Sequence, residues 1–277
     1  MKKLILTLFC LAWTNVSVAQ ERIISAGSGV TELLFALEKQ PSLIAVDVTS
    51  RSPQVRGLPV IGYHRQLSAE GLLSLAPSML IGSAEMGPKS TLNVLKNSGV
   101  DVVILPTEAS IDSLIQRVEL LGEKLGRKQQ ATKLNNKISL QLTQLASHTA
   151  KLALRKKVIF LLLNDKGSYT AAGGNTTAHT LMDLAGAVNP AQALNSYQPL
   201  SVESFLSMQP DAIVVSGRQW RKYQDLDKLI AAMPLLAETP AGKNRAIYVI
   251  DGTALIGGLG LSSLKQAAKL HQQLYPQ

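Results

Sequence analysis

Residues 110–152, "SIDSLIQRVELLGEKLGRKQQATKLNNKISLQLTQLASHTAKL", hold helical periodicity nearly throughout and contain no strand candidate. On both sides of this stretch the chain does the opposite, alternating short β-rich runs with amphipathic segments. Upstream, "RIISAG" (22–27), "LIAVDV" (43–48), "SMLIGS" (78–83) and "VDVVILP" (100–106) read as strands, and "GVTELLFALEK" (29–39), a segment from Ser68 and "STLNVLKNSG" (90–99) as helices. Downstream, "KVIFLLLN" (157–164), "DAIVVS" (211–216) and "AIYVID" (246–251) read as strands. Residues 176–186, 202–209, 226–233 and 262–275 read there as helices. Such a βαβα rhythm predicts parallel sheets. Gly122 and Gly126 mark a shorter helix handing over to a second from about Lys128 to Leu152. That second helix, roughly 35 Å long at 1.5 Å per residue, is long enough to cross between two α/β lobes.

The chain opens "MKKLILTLFCLAWTNVSVAQ", with two lysines, an apolar run from Leu4 to Trp13 and a small-x-small Ser17-Val18-Ala19. Residues 1–19 are therefore expected to be a cleaved secretory signal peptide, and the apolar run is short of the roughly 20 residues that span a bilayer. The single cysteine, Cys10, lies inside this leader, so the expected mature chain has neither disulfides nor thiol ligands. Removing the two leader lysines lowers the formal net charge from +9 to +7. The basic residues are spread along helical stretches with no run of five or more, which argues against a nucleic-acid partner and suits an anionic small ligand.

Motifs for several chemistries are incomplete. "SAGSGVTE" puts Gly27, Gly29 and Glu32 where a dinucleotide loop needs three glycines. A Glu beside a pyrophosphate would repel it, and a tight turn with Ser28 as helix N-cap is the simpler expectation. No G-x-S-x-G elbow occurs. The four histidines, His64, His148, His179 and His271, form no H-x-x-x-H pair, and His148 and His271 sit in polar helical stretches that read as solvated. The loop "IGYHRQLSAEGLLSL" (61–75) is different, because Tyr63, His64 and Arg65 stand side by side just ahead of a helix start at Ser68, with Glu70 in the first turn. Neighbouring side chains on an extended loop point apart, so one of Tyr63 and His64 is expected to face a cleft. The residues alone lead to an anionic ligand held between two lobes.

Five segments, "SAGSGVTELLFALEKQPSLIAVDVTS" (25–50), "LPVIGYHRQLSAEGLLSLAPSMLI" (58–81), "TAAGGNTTAHTLMDLAGAVN" (170–189), "LSVESFLSMQPDAIVVSG" (200–217) and "ETPAGKNRAIYVIDG" (238–252), carry a resemblance to a known family. Together they resemble the periplasmic haem-binding proteins of bacterial ABC importers, within the wider group of siderophore and cobalamin binding proteins. The resemblance covers most of the mature chain in order. Its most specific part is the Gly-Tyr element followed by "RQLSAEG". It implies an α/β protein of two Rossmann-like lobes joined by a single long α-helix, with the ligand cleft between them. The expected divisions are 1–19, 20–127, 128–152 for the linking helix and 153–277. In the family the Tyr is the axial ligand of haem iron, which falls here on Tyr63, and an Arg of the second lobe approaches it, which falls on Arg218 with Arg221 as its rival. A phenolate is a hard anionic oxygen donor suited to ferric iron. His179, near a second-lobe helix start, and Arg65 are further expected contacts, with anionic propionates suited to both. Near the C-terminus the family often reads "LGFGPR", whereas this chain has "LIGGLGLSS" (255–263), leaving those contacts without a counterpart.

The expectation is a monomeric periplasmic carrier that takes one haem, or a stacked pair, to an inner-membrane ABC permease, with no catalysis and no nucleic-acid partner. Glu85 is a candidate for docking on that permease. A siderophore or cobalamin carrier of the same fold, and a periplasmic hydrolase, stand as alternatives.

Overall fold

The computed structural model describes residues 21–163, 169–223 and 225–276. The expected leader, residues 1–19, lies outside them. The first lobe runs β1 (Ile23–Ala26), α1 (Ser28–Ala36), β2 (Leu43–Val46), α2 (Ala69–Leu73), β3 (Met79–Ser83), α3 (Lys89–Asn97) and β4 (Asp101–Leu105). Its four strands are all parallel, in the order β2-β1-β3-β4. The central strands β1 and β3 are buried along their whole length, as strands covered on both faces must be, which is why their residues are apolar or small.

The helical stretch resolves into α4 (Ile111–Lys124) and α5 (Lys128–Thr149). Ser110 caps α4 by accepting from the Ser113 N–H. The 22 residues of α5 span about 33 Å. Ala131, Leu134 and Ile138 of α5 pack in the first lobe's core, and Leu145 packs in that of the second.

The second lobe contains β5 (Val158–Leu163), β6 (Tyr169–Ala172), α6 (Thr177–Leu184), β7 (Tyr197–Leu200), α7 (Val202–Met208), β8 (Ala212–Ser216), α8 (Gly217–Tyr223), α9 (Leu226–Ala232), α10 (Pro240–Lys243), β9 (Ile247–Ile250) and α11 (Leu261–Leu274). Its sheet order is β7-β6-β5-β8-β9. The alternation predicted only parallel strands here, but β6 runs antiparallel to both β5 and β7. β6 and β7 are each four residues long, and β7 contains Pro199, which a ladder tolerates on an edge strand.

A second helix also crosses the joint, since Leu264 of α11 packs in the first lobe's core while Ala267, Leu270 and Leu274 pack in the second. Hydrogen bonds reinforce this seam. Arg117 of α4, almost fully buried, donates to the carbonyls of Gly257, at 2.7 Å, and Leu259. Burial presses its guanidinium down to about 10, with Glu108 opposing, so it stays charged at neutral pH. Glu32 accepts from the Ser262 N–H at 3.0 Å and from its hydroxyl, and Thr180 donates to the Ala109 carbonyl at 2.5 Å. The departing segment "LIGGLGLSS" supplies most of these partners. Its Gly258 sits at φ +87°, where an added Cβ would come within 2.9 Å of the Thr107 carbonyl oxygen.

Ser28 is not the N-cap of α1. Gly27 holds that place, and the Ser28 hydroxyl donates to the Thr253 carbonyl at 3.0 Å. His271 is likewise buried rather than solvated, with Nδ1 at 3.0 Å from the Ala185 carbonyl and its ring stacked on exposed His148. Among the described residues no helix is long and apolar enough to cross a membrane.

Candidate functional site

The 61–75 loop is built onto the free edge of β2. Val60 bridges Val46, the Ile61 N–H donates to the Val46 carbonyl at 3.0 Å, and the Val48 N–H donates to that of Gly62 at 2.9 Å. Gly62 adopts φ +84°, turning the chain just before Tyr63. The Gln66 N–H then donates back to the Tyr63 carbonyl at 2.8 Å, and Ser68 caps α2 by accepting from the Gly71 N–H. Tyr63 and His64 diverge sharply: Tyr63 is 40 % exposed and His64 only 1 %. Their rings still touch, with centroids 4.5 Å apart.

His64 belongs to a buried polar network. Its Nδ1 donates to Asp47 at 2.8 Å, and Asp47, itself fully buried, accepts from the hydroxyls of Thr49, at 2.8 and 2.9 Å, and Ser50, at 3.1 Å. Ser50 in turn meets Thr31 of α1 at 2.7 Å. On the other side His64 Nε2 lies 3.7 Å from Glu85, which pairs with Arg65 at 2.6 Å. Burial opposes a charge on His64, yet its hydrogen bond to Asp47 and the negative charges of Asp47 and the nearby Glu85 outweigh it and raise the imidazolium to about 9. The neighbouring His64 imidazolium holds the Glu85 carboxyl below its ordinary range, against burial and with help from the hydrogen bond and charge of Arg65.

Tyr63 faces a cavity of about 1060 Å³ between the lobes. Its opposite wall comes from the carboxyl ends of second-lobe strands and from α8, with Phe160, Leu162, Tyr197, Arg218, Trp220 and Arg221 lining it. Ligand clefts of open α/β sheets form at this edge. The structure thus brings Tyr63, Arg218 and Arg221 to one cavity. Arg65 is engaged with Glu85 and lies outside the lining, as does His179, whose Nδ1 is 3.4 Å from the Asn189 side-chain nitrogen. Sequence reasoning missed Phe160, Tyr197 and Trp220. Trp220 carried a signal, since the other of the chain's two tryptophans is Trp13 in the expected leader. Among the described residues no group of three or more His, Cys, Asp or Glu is arranged to hold a metal ion. The lining can embrace a flat apolar body with anionic edges and present one phenol oxygen to a hard Lewis acid.

The comparisons with known proteins agree with this architecture. The family model described as "Periplasmic binding protein" matches residues 23–254, and the chain belongs to that family. Among solved structures it is similar to the periplasmic haem-binding protein HutB of Vibrio cholerae, at 44 % identity and a TM-score of 0.88, covering 93 % of this chain and 100 % of that one. It is also similar to the apo form of the periplasmic haem-binding protein RhuT from Roseiflexus sp. RS-1, at 31 % identity and a TM-score of 0.86, covering 92 % and 98 %. A vitamin B12-binding protein of Vibrio parahaemolyticus is 26 % identical over 215 residues, 77 % of each chain.

Proposed function

We propose that this chain is a periplasmic carrier that captures ferric haem between its lobes and delivers it to an inner-membrane ABC permease. In this reading residues 1–19 direct export and are removed, 20–127 and 153–277 form the lobes, and 128–152 join them. Tyr63 is the iron ligand, as phenolate. An ordinary phenol titrates near 10, so binding must come from the anion's attraction to Fe(III) and a nearby cation, with Arg218 or Arg221 serving. The phenolate favours the ferric state, and the apolar wall around Phe160, Leu162 and Trp220 accepts the porphyrin face. Nothing in the delivery requires catalysis.

The observation that carries this reading is Tyr63 facing the two arginines across one cavity, on a chain 44 % identical to a haem-binding protein. The vitamin B12-binding relative, at 26 %, favours a corrinoid carrier as the rival. Absorbance titration of the signal-free protein with ferric haem separates them. A saturating high-spin ferric tyrosinate spectrum that collapses in Tyr63→Ala supports haem. No saturable shift, or an unchanged spectrum in Tyr63→Ala, overturns the assignment.

A further inference from the structure

We propose that the Tyr197 hydroxyl is a second-lobe hydrogen-bond donor to the cargo, meeting a carboxylate at the ligand's edge; this rests on the haem reading above. Tyr197 opens β7, paired with Ala172 of β6, and its ring meets Phe160 edge-on, with centroids 6.4 Å apart and planes at 74°. The ring lines the same cavity as Tyr63, yet among the described residues its hydroxyl has no hydrogen-bond partner. At a cavity wall such a hydroxyl is placed to donate to an acceptor on a bound ligand.

The surrounding chemistry decides which partner fits. Arg51, Arg218, Arg221 and Lys269 all line the cavity and offer only donors. Among the described residues the one carboxylate there is Asp251, whose Oδ1 already accepts from the Thr253 N–H at 3.0 Å and hydroxyl at 2.8 Å. A wall of donors calls for a ligand that brings the acceptors. Tyr197 could in principle be a second phenolate, but burial, and then the negative charge of Glu85, push it up to about 12. It therefore keeps its proton and donates. The two cavity tyrosines divide the work, Tyr63 as anion toward the metal and Tyr197 as neutral donor toward the periphery. With its ring held by Phe160, little side-chain freedom remains to be lost on binding.

The test compares wild type and Tyr197→Phe in absorbance titrations with ferric protoporphyrin IX and with its dimethyl ester, which lacks the carboxylates. The expected result is about a tenfold loss of affinity for the diacid in Tyr197→Phe, with unchanged affinity for the ester and an unchanged iron spectrum. Ester binding by the variant also serves as its folding control. Equal diacid affinity in both proteins overturns the inference, and so does an equal loss for diacid and ester, which would mark a packing contact. If wild type binds neither porphyrin, the haem reading falls and takes this inference with it, an outcome distinct from the other two.

Discussion

The two walls of the cleft are built on opposite plans. On the first-lobe wall Tyr63 rides on a loop bonded to β2 and underpinned by Asp47, His64, Thr49 and Ser50, all nine-tenths or more buried. On the second-lobe wall Arg218 and Arg221 project from α8, a helix of seven residues, and both are exposed with no ion-pair partner among the described residues. A group that must meet a metal at a fixed distance needs a rotamer locked from behind. Charges that only need to attract an anionic group can remain on long, adaptable stems. The difference places geometric precision on one wall and tolerance on the other.

Each side of this comparison can be broken separately. Removing outer partners of metal ligands costs about 10–100-fold in affinity, so losing the proposed ligand itself, in Tyr63→Ala, should exceed about a hundredfold and abolish the tyrosinate band. Tyr63→Phe, which keeps the ring, should do the same by absorbance titration. Breaking the support instead, Asp47→Ala leaves His64 buried without its carboxylate, a loss of about 3–5 kcal/mol. Calorimetry should show the midpoint falling by about 10 °C. On the tolerant wall, Arg218→Ala with Arg221→Ala should weaken haem binding about tenfold, flatten its salt dependence and leave the melting temperature within about 1 °C. If the double variant melts as low as Asp47→Ala, the contrast between the walls is wrong.

The buried network also sets a pH dependence. His64 titrates near 9 in the folded chain and near 6.5 when unfolded. Its stabilisation is fully present below about 6.5 and is lost as pH rises toward 9. Thermal unfolding of the ligand-free protein should therefore drop across that window, and His64→Gln should remove the slope. The smallest effect belongs to Arg65→Ala. Its ion pair with Glu85 is half exposed on the arginine side, and such pairs contribute about 1 kcal/mol or less. A larger loss by urea titration would make Arg65 part of the rigid wall.

Much of the first wall was legible in the sequence. Gly62-Tyr63 before a Ser68 cap is a local pattern, and local patterns survive folding because turn chemistry and capping act within a few residues. The parallel strands were legible because burial on both faces leaves a continuous apolar run, as in "VIFLLL". His64's partner was not, since Asp47 lies 17 residues away and nothing in either position announces the pair. The second wall was less visible for a similar reason. Tyr197 begins a four-residue edge strand interrupted by proline, and α8 carries "GRQWRKY", whose charges read as a solvated loop. Propensity does not show that a neighbouring lobe turns such a segment into a cavity wall.

The seam at which α5 and α11 both cross, with Arg117 bonded to the 257–259 carbonyls, has a kinetic consequence. A receptor that folds shut around its cargo passes through an encounter complex and a slower isomerisation, so its observed capture rate levels off at high ligand concentration. Two helices and a buried guanidinium across the hinge leave little travel for such a second step. Capture should then follow a rate that rises linearly with haem concentration. On the haem proposal, the work of prising the lobes from the porphyrin would pass to the partner that removes it, and release, rather than uptake, is the step expected to need an energy supply.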